Sequence, residues 1–138
     1  MRRSDTRTQF LKDLLTTAIE NGGYGFFEVE DYSPEHGTAT IVEQNGEDEG
    51  GDRYDIDIET MAAGLGVIRD AVLVTIMEPH VGEVTVLHNV KSGQRLFMSE
   101  DMRARIGVAS RENEAADLDC VDALAVLECA LFGAVTYA

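Results

Sequence analysis

"FLKDLLTTAIENGGYGFFEVEDY", residues 10–32, changes its period halfway along. Phe10, Leu11, Leu14, Leu15, Ala18 and Ile19 recur at helical spacing and form one apolar stripe. From Phe27 onward the order is Phe27, Glu28, Val29, Glu30, an apolar–charged alternation that fits a strand with one wet face. Asn21, Gly22 and Gly23 between the two parts supply a left-handed helix stop. Ser4 or Asp5 is placed to cap the helix start. A helix followed at once by a half-buried strand points to α+β rather than all-α architecture.

The period of two continues downstream. "SPEHG" (33–37) is a turn, and "TATIVEQ" (38–44) is a second strand with Ala39 and Ile41 on one face. After the acidic "NGEDEGGD" (45–52), Tyr54, Ile56 and Ile58 alternate with Asp55 and Asp57 in a third strand. Three strands with short links predict an antiparallel meander, apolar on one face and wet on the other. Helical spacing returns at Met61, Leu65, Ile68 and Val72, weakened by two glycines at about 1 kcal/mol each relative to Ala. Residues 84–98 are expected to form a second hairpin turning at Ser92 and Gly93. Ser99 caps the next helix and Asp119 the last, "CVDALAVLECALFG" (120–133), which Gly133 ends. That helix is apolar almost all round and so belongs in a core. Residues 134–138 form a short tail with the makings of one more strand.

The predicted fold is thus a single α+β domain over 1–138. An antiparallel sheet of three or more strands is packed on one face by about four helices, the last one central. Phe27, Ile41, Ile56, Leu65, Leu124, Leu127 and Leu131 are its expected core.

Composition bounds the function classes. Twenty-six acids against eleven Lys and Arg give a net charge of −15. That disfavours direct binding to nucleic acid or an anionic membrane, which requires clustered Lys and Arg. No stretch approaches the roughly 20 apolar residues of a membrane span. "MRRSDTRTQF" lacks the apolar run of a signal peptide, so a cytoplasmic location is expected. Cys120 and Cys129, nine apart on one helix, diverge too far to pair and read as buried cytosolic thiols.

Specific chemistries find little purchase. Asn45, Glu47, Glu49 and Gly50 match the opening of a calcium loop, but the closing bidentate carboxylate is replaced by Ile56, and Arg53 intrudes. His36, His80 and His88 are too scattered for zinc. Cys129 lies inside an apolar helix, where a nucleophilic thiolate is disfavoured. The glycines of "NGGYG" follow a helix and precede a strand, the reverse of a phosphate loop. Asp55 with Asp57, and Glu28 with Glu30, are paired carboxylates, yet a wet strand face offers nothing to separate their pKa values. No Lys lies between Lys12 and Lys91 to assist them. Asp122 and Glu128 are expected to mark one polar edge of the last helix; the alternative is a buried Glu128 paired with Arg103 or Arg105. No cofactor and no metal are implied.

The charge is unevenly distributed. From 28 to 59 there are twelve acids and one base, so this segment holds −11 of the −15. Its candidate partner-binding face comprises Glu28, Glu30, Glu47, Asp48, Glu49, Asp52, Asp55 and Asp57. The plainest use of such a face is solubility. The functional reading is a non-enzymatic accessory protein that binds a protein partner with a basic surface. The alternative is an inhibitor that mimics nucleic acid, and a third reading is a small carboxylate-dependent enzyme. The oligomeric state is open.

Three segments, "FLKDLLTTAIENGGYGFFEVEDY" (10–32), "IDIETMAAGLGVIRDAV" (56–72) and "LDCVDALAVLECALFGAVTYA" (118–138), resemble a family of small proteins of unassigned function. That family is encoded by actinobacteria and their phages and mobile elements. The resemblance implies a bacterial or phage setting and carries no functional residues.

Overall fold

The computed structural model describes residues 3–20, 26–44 and 51–135. The first helix, α1 (Asp5–Glu20), begins where Ser4 accepts the Arg7 amide on its hydroxyl at 3.1 Å and the Thr8 amide on its carbonyl at 3.0 Å. All six residues of the expected stripe are buried. The predicted stop at Asn21, Gly22 and Gly23 lies outside the described residues.

Strands β1 (Phe27–Ser33), β2 (Thr38–Glu43) and β3 (Arg53–Asp57) form an antiparallel sheet in chain order. Phe27, Ala39, Ile41 and Ile56 are buried on its inner face, with Val29, Tyr32 and Tyr54 packed beside them. The register runs Val29↔Ile41 and then Asp31↔Thr40, so Glu30 is an extra residue, a β-bulge. Gly37, at φ +68°, closes the β1–β2 turn by donating to the Ser33 carbonyl at 2.9 Å.

Asp57 ends β3 and caps α2 (Ile58–Asp70). Its carboxylate accepts the amides of Glu59 and Thr60, while the Thr60 hydroxyl accepts the Asp57 amide. The two α2 glycines differ. Gly64 is buried against α4 (Cys120–Phe132), where a Cβ would collide with the carbonyl oxygen of Val126, so the close crossing requires glycine. Gly66 meets only the Arg69 guanidinium. Asp119 and Asp122 form a capping box at the start of α4, and Gly133, at φ +79°, ends it. Every residue from Asp122 to Cys129 is buried, so α4 is the central helix, flanked by α1 and α2. Of the expected core, only Leu131 falls short; it packs partly buried against the cluster. Phe132 meets Phe26 and Tyr54 edge-on and joins α4 to the sheet.

The second hairpin is displaced from its expected place. It pairs β4 (Val72–Glu78) with β5 (Gly82–His88) through a turn at 79–81, where His80 has φ +66° and Gly82 φ +103°. Val72 therefore opens a strand, 43% exposed, instead of ending the α2 stripe. The chain does reverse at Ser92 and Gly93: Asn89 and Gln94 are joined at 2.7 Å, and Gly93 has φ +76°. The return leg is short, with one bridge between His88 and Arg95 and one bond from the Leu96 amide to the Leu87 carbonyl. The tail adds a bond from the Val135 amide to the Leu96 carbonyl at 2.9 Å. Helix α3 (Glu100–Glu112), capped by Ser99 and ended by Asn113 at φ +55°, packs against α2. A single 3-10 turn, Ala115–Asp117, leads to α4.

Candidate functional site

The outer face of the meander is built as alternation dictates, with one change. Glu28, Glu30, Asp31, Asp55 and Asp57 are all exposed. The bulge turns Asp31 outward beside Glu30, so β1 presents three carboxylates where alternation alone gives two. The β3 carboxylates Asp55 and Asp57 lie across β2, opposite Thr40 and Thr38. Rows separated by one strand lie roughly 9–10 Å apart. The predicted members Glu47, Asp48 and Glu49 fall outside the described residues. Asp52 is exposed, and its carbonyl accepts the Glu43 amide at 2.9 Å.

These carboxylates are not equivalent. Glu30 pairs with Arg53 at 3.0 Å across the sheet. Asp55 accepts the Thr40 hydroxyl at 2.7 Å. Glu28 sits 3.5 Å from the Gln44 amide nitrogen. Asp57 is engaged by the α2 cap. Beyond the strand, Arg3 hydrogen-bonds Glu59 and holds its carboxyl below the usual range. At the far margin, burial and then the charges of Glu43 and Asp52 push the Tyr54 phenol up.

The α4 acids depart from expectation. Asp122 and Glu128 are both buried, at 1% and 0% exposure, and mark no polar edge. Asp122 is held by a two-pronged pair, Arg105 Nε at 3.0 Å and Nη2 at 2.7 Å, while Arg105 keeps its outer surface in water. Arg103 goes elsewhere, donating to the carbonyls of Ile68, Arg69 and Ala71 at the end of α2. Burial, and then the neighbouring Glu128, push the Cys129 thiol up to about 12. Such a thiol holds its proton at neutral pH and is no nucleophile.

A groove of about 570 Å³ between α2 and α3 escaped the sequence reading. Its rim carries Arg7, Arg69, Arg103 and Arg111 over a floor that includes Leu65 and Ile106. Four arginines spread from 7 to 111 leave no local signal. Arg7 donates to Ser110 and Asn113 at the end of α3, as Arg103 does at the end of α2, so both guanidiniums offset helix C-termini. Arg69 pairs with Asp70.

Among the described residues, no three His, Cys, Asp or Glu side chains lie close enough to hold a metal ion. His36 meets the Ser33 hydroxyl at 2.8 Å, His80 sits exposed in the hairpin turn, and His88 Nε2 is buried without a partner among the described residues. No described helix is long and apolar enough to cross a membrane. No protein-family model, no curated protein and no solved structure matches the chain.

Proposed function

We propose that the protein is a non-enzymatic accessory protein that binds a protein partner with a basic surface through the outer face of the β1–β2–β3 sheet. The observation that carries this reading is the bulge at Glu30. With it, Glu28, Glu30, Asp31 and Asp55 share one exposed face on which Arg53 is the opposing base. Packing four like charges on one small sheet face opposes folding, and a solubility surface has no need of that density. The bacterial or phage setting rests on the resemblance of the three segments alone. The nucleic-acid-mimic reading draws less support. It needs free carboxylates in regular rows, and Glu30 is tied to Arg53 while Asp57 is tied to the cap. The carboxylate-enzyme reading finds no buried acid among the described residues of that face.

The test is capture by the immobilised protein from a bacterial lysate, comparing wild type with Glu28→Gln, Glu30→Gln, Asp31→Asn and Asp55→Asn combined. Asp57 is retained because it caps α2. The expected result is a basic protein held by wild type, released as salt rises, and lost by the variant, since exposed charges are screened beyond ~8 Å at 0.15 M. A partner held equally by both proteins refutes the assignment to this face.

A further inference from the structure

The β4–β5 hairpin stands apart from every other element in its surroundings. Among the described strands, its two pair with each other and with no third. The far edge of β5 is partly covered, by the bridge to Arg95 and the Leu96–Leu87 bond. Among the described residues, the far edge of β4 makes no backbone hydrogen bond to any other segment. Open edges are normally blunted by Lys, Pro or a bulge. β4 reads "VLVTIME", with none of these, and Val72, Leu73 and Met77 are 43%, 51% and 73% exposed. A two-stranded hairpin is by itself marginal in water.

We infer that the β4 edge is a self-association surface and that its occupant is β4 of a second copy, paired antiparallel about a two-fold axis through Thr75. The strand is self-complementary in that register. Thr75 faces Thr75 of the second copy, Val74 faces Ile76, Leu73 faces Met77, and Val72 faces Glu78. Each pair lies on a common face because the register sum is even. Two exposed apolar residues, Leu73 and Met77, cover each other twice across the seam. The one charged residue of the strand, Glu78, is already paired with Arg95. The product is a four-stranded sheet with an isologous interface.

Charge selects the same place. Residues 72–88 carry two carboxylates, Glu78 and Glu83, and no Lys or Arg, against −11 in 28–59. The thirteen residues of α2 separate the end of β3 from the start of β4 by roughly 20 Å. That exceeds two Debye lengths at 0.15 M, about 8 Å each. Two copies of a −15 protein therefore approach most cheaply through this hairpin. Area sets the strength. A specific interface buries about 800 Å² per partner. An edge of seven residues, about 24 Å long, supplies part of that. The association is accordingly reversible and weak enough to follow by dilution.

The test is sedimentation equilibrium of the full chain over a concentration series at low and high salt. Wild type is expected to show a reversible monomer–dimer equilibrium that tightens with salt as net repulsion is screened. Thr75→Lys, which sets like charges opposite each other, should weaken it by about two- to fivefold, although it lowers the net repulsion between copies. Mixing Thr75→Lys with Thr75→Glu should restore association as a heterodimer, a rescue specific to the two-fold at that residue. Met77→Lys, at an exposed site that cannot disturb folding, is the second variant and should weaken the dimer with unchanged circular dichroism. A wild type that stays monomeric throughout overturns the inference. So does dimerisation of Met77→Lys at wild-type strength, or a Thr75 mixture that associates no better than its components.

Discussion

The two sheets of this chain share strand length, antiparallel pairing and period-two patterning, yet live in opposite environments. The β1–β2–β3 sheet has one face sealed by Phe27, Ala39, Ile41 and Ile56 against the helices and the other crowded with carboxylates. The β4–β5 hairpin buries Leu87 as its one fully covered apolar side chain and bears almost no charge. Stability thus resides where a strand face is backed by α1 and α4. What is left over differs in kind: a charged face on one sheet, a bare apolar edge on the other. The first suits a partner of opposite charge; the second suits a neutral strand.

The contrast breaks most visibly in the core. Ile41→Ala on the backed sheet should cost about 2–5 kcal/mol in denaturant unfolding, whereas Met77→Ala on the hairpin should change stability by less than about 0.5 kcal/mol. Equal losses would mean the hairpin is as anchored as the meander. Replacing Asp122 by Ala should come next, at about 1–3 kcal/mol after discounting for the half-exposed Arg105. At the edge of the acidic face, Asp57→Ala should cost about 1 kcal/mol of thermal stability through the lost cap, and Asp57→Asn far less, because Asn caps as well. If the two substitutions behave alike, charge rather than capping is what Asp57 contributes.

A smaller effect lies in the pH dependence. The Cys129 thiol is raised from 9.0 to about 12 in the folded protein. Between those values the unfolded chain gives up this proton and the folded one keeps it, so the unfolded state binds fewer protons. The stability is whole below pH 9 and declines as pH rises toward 12. Cys129→Ser should flatten that alkaline slope. In the same experiment, thiol reagents at mildly alkaline pH should modify the half-buried Cys120 and spare Cys129.

Much of this was legible in the residues. The change of period between Ile19 and Phe27, the caps at Ser99 and Asp119, and the all-round apolar α4 read correctly because each depends on near neighbours in sequence. What escaped depends on distant ones. Val72 fits both the α2 stripe and the β4 alternation, and nothing local decides between them; the hairpin was therefore expected twelve residues late, around the real but brief reversal at Ser92 and Gly93. The bulge at Glu30 arises from how β1 must meet β2, and alternation alone cannot reveal it. Asp122 and Glu128 are polar letters in an apolar helix, and only the arrival of Arg105 from α3 makes a buried Asp122 tenable. The acidic face was visible as composition, but the unequal engagement of Glu30, Asp55 and Asp57 was not.

Hydrogen exchange of the full-length protein, followed residue by residue in dilute and concentrated solution at two salt concentrations, tests the division between the two sheets most directly. Amides of β4 should exchange quickly when dilute and gain protection as concentration and salt rise, while those of β1, β2 and β3 keep the same protection throughout. Protection that leaves β4 unchanged, or that grows on the acidic meander instead, would contradict the account.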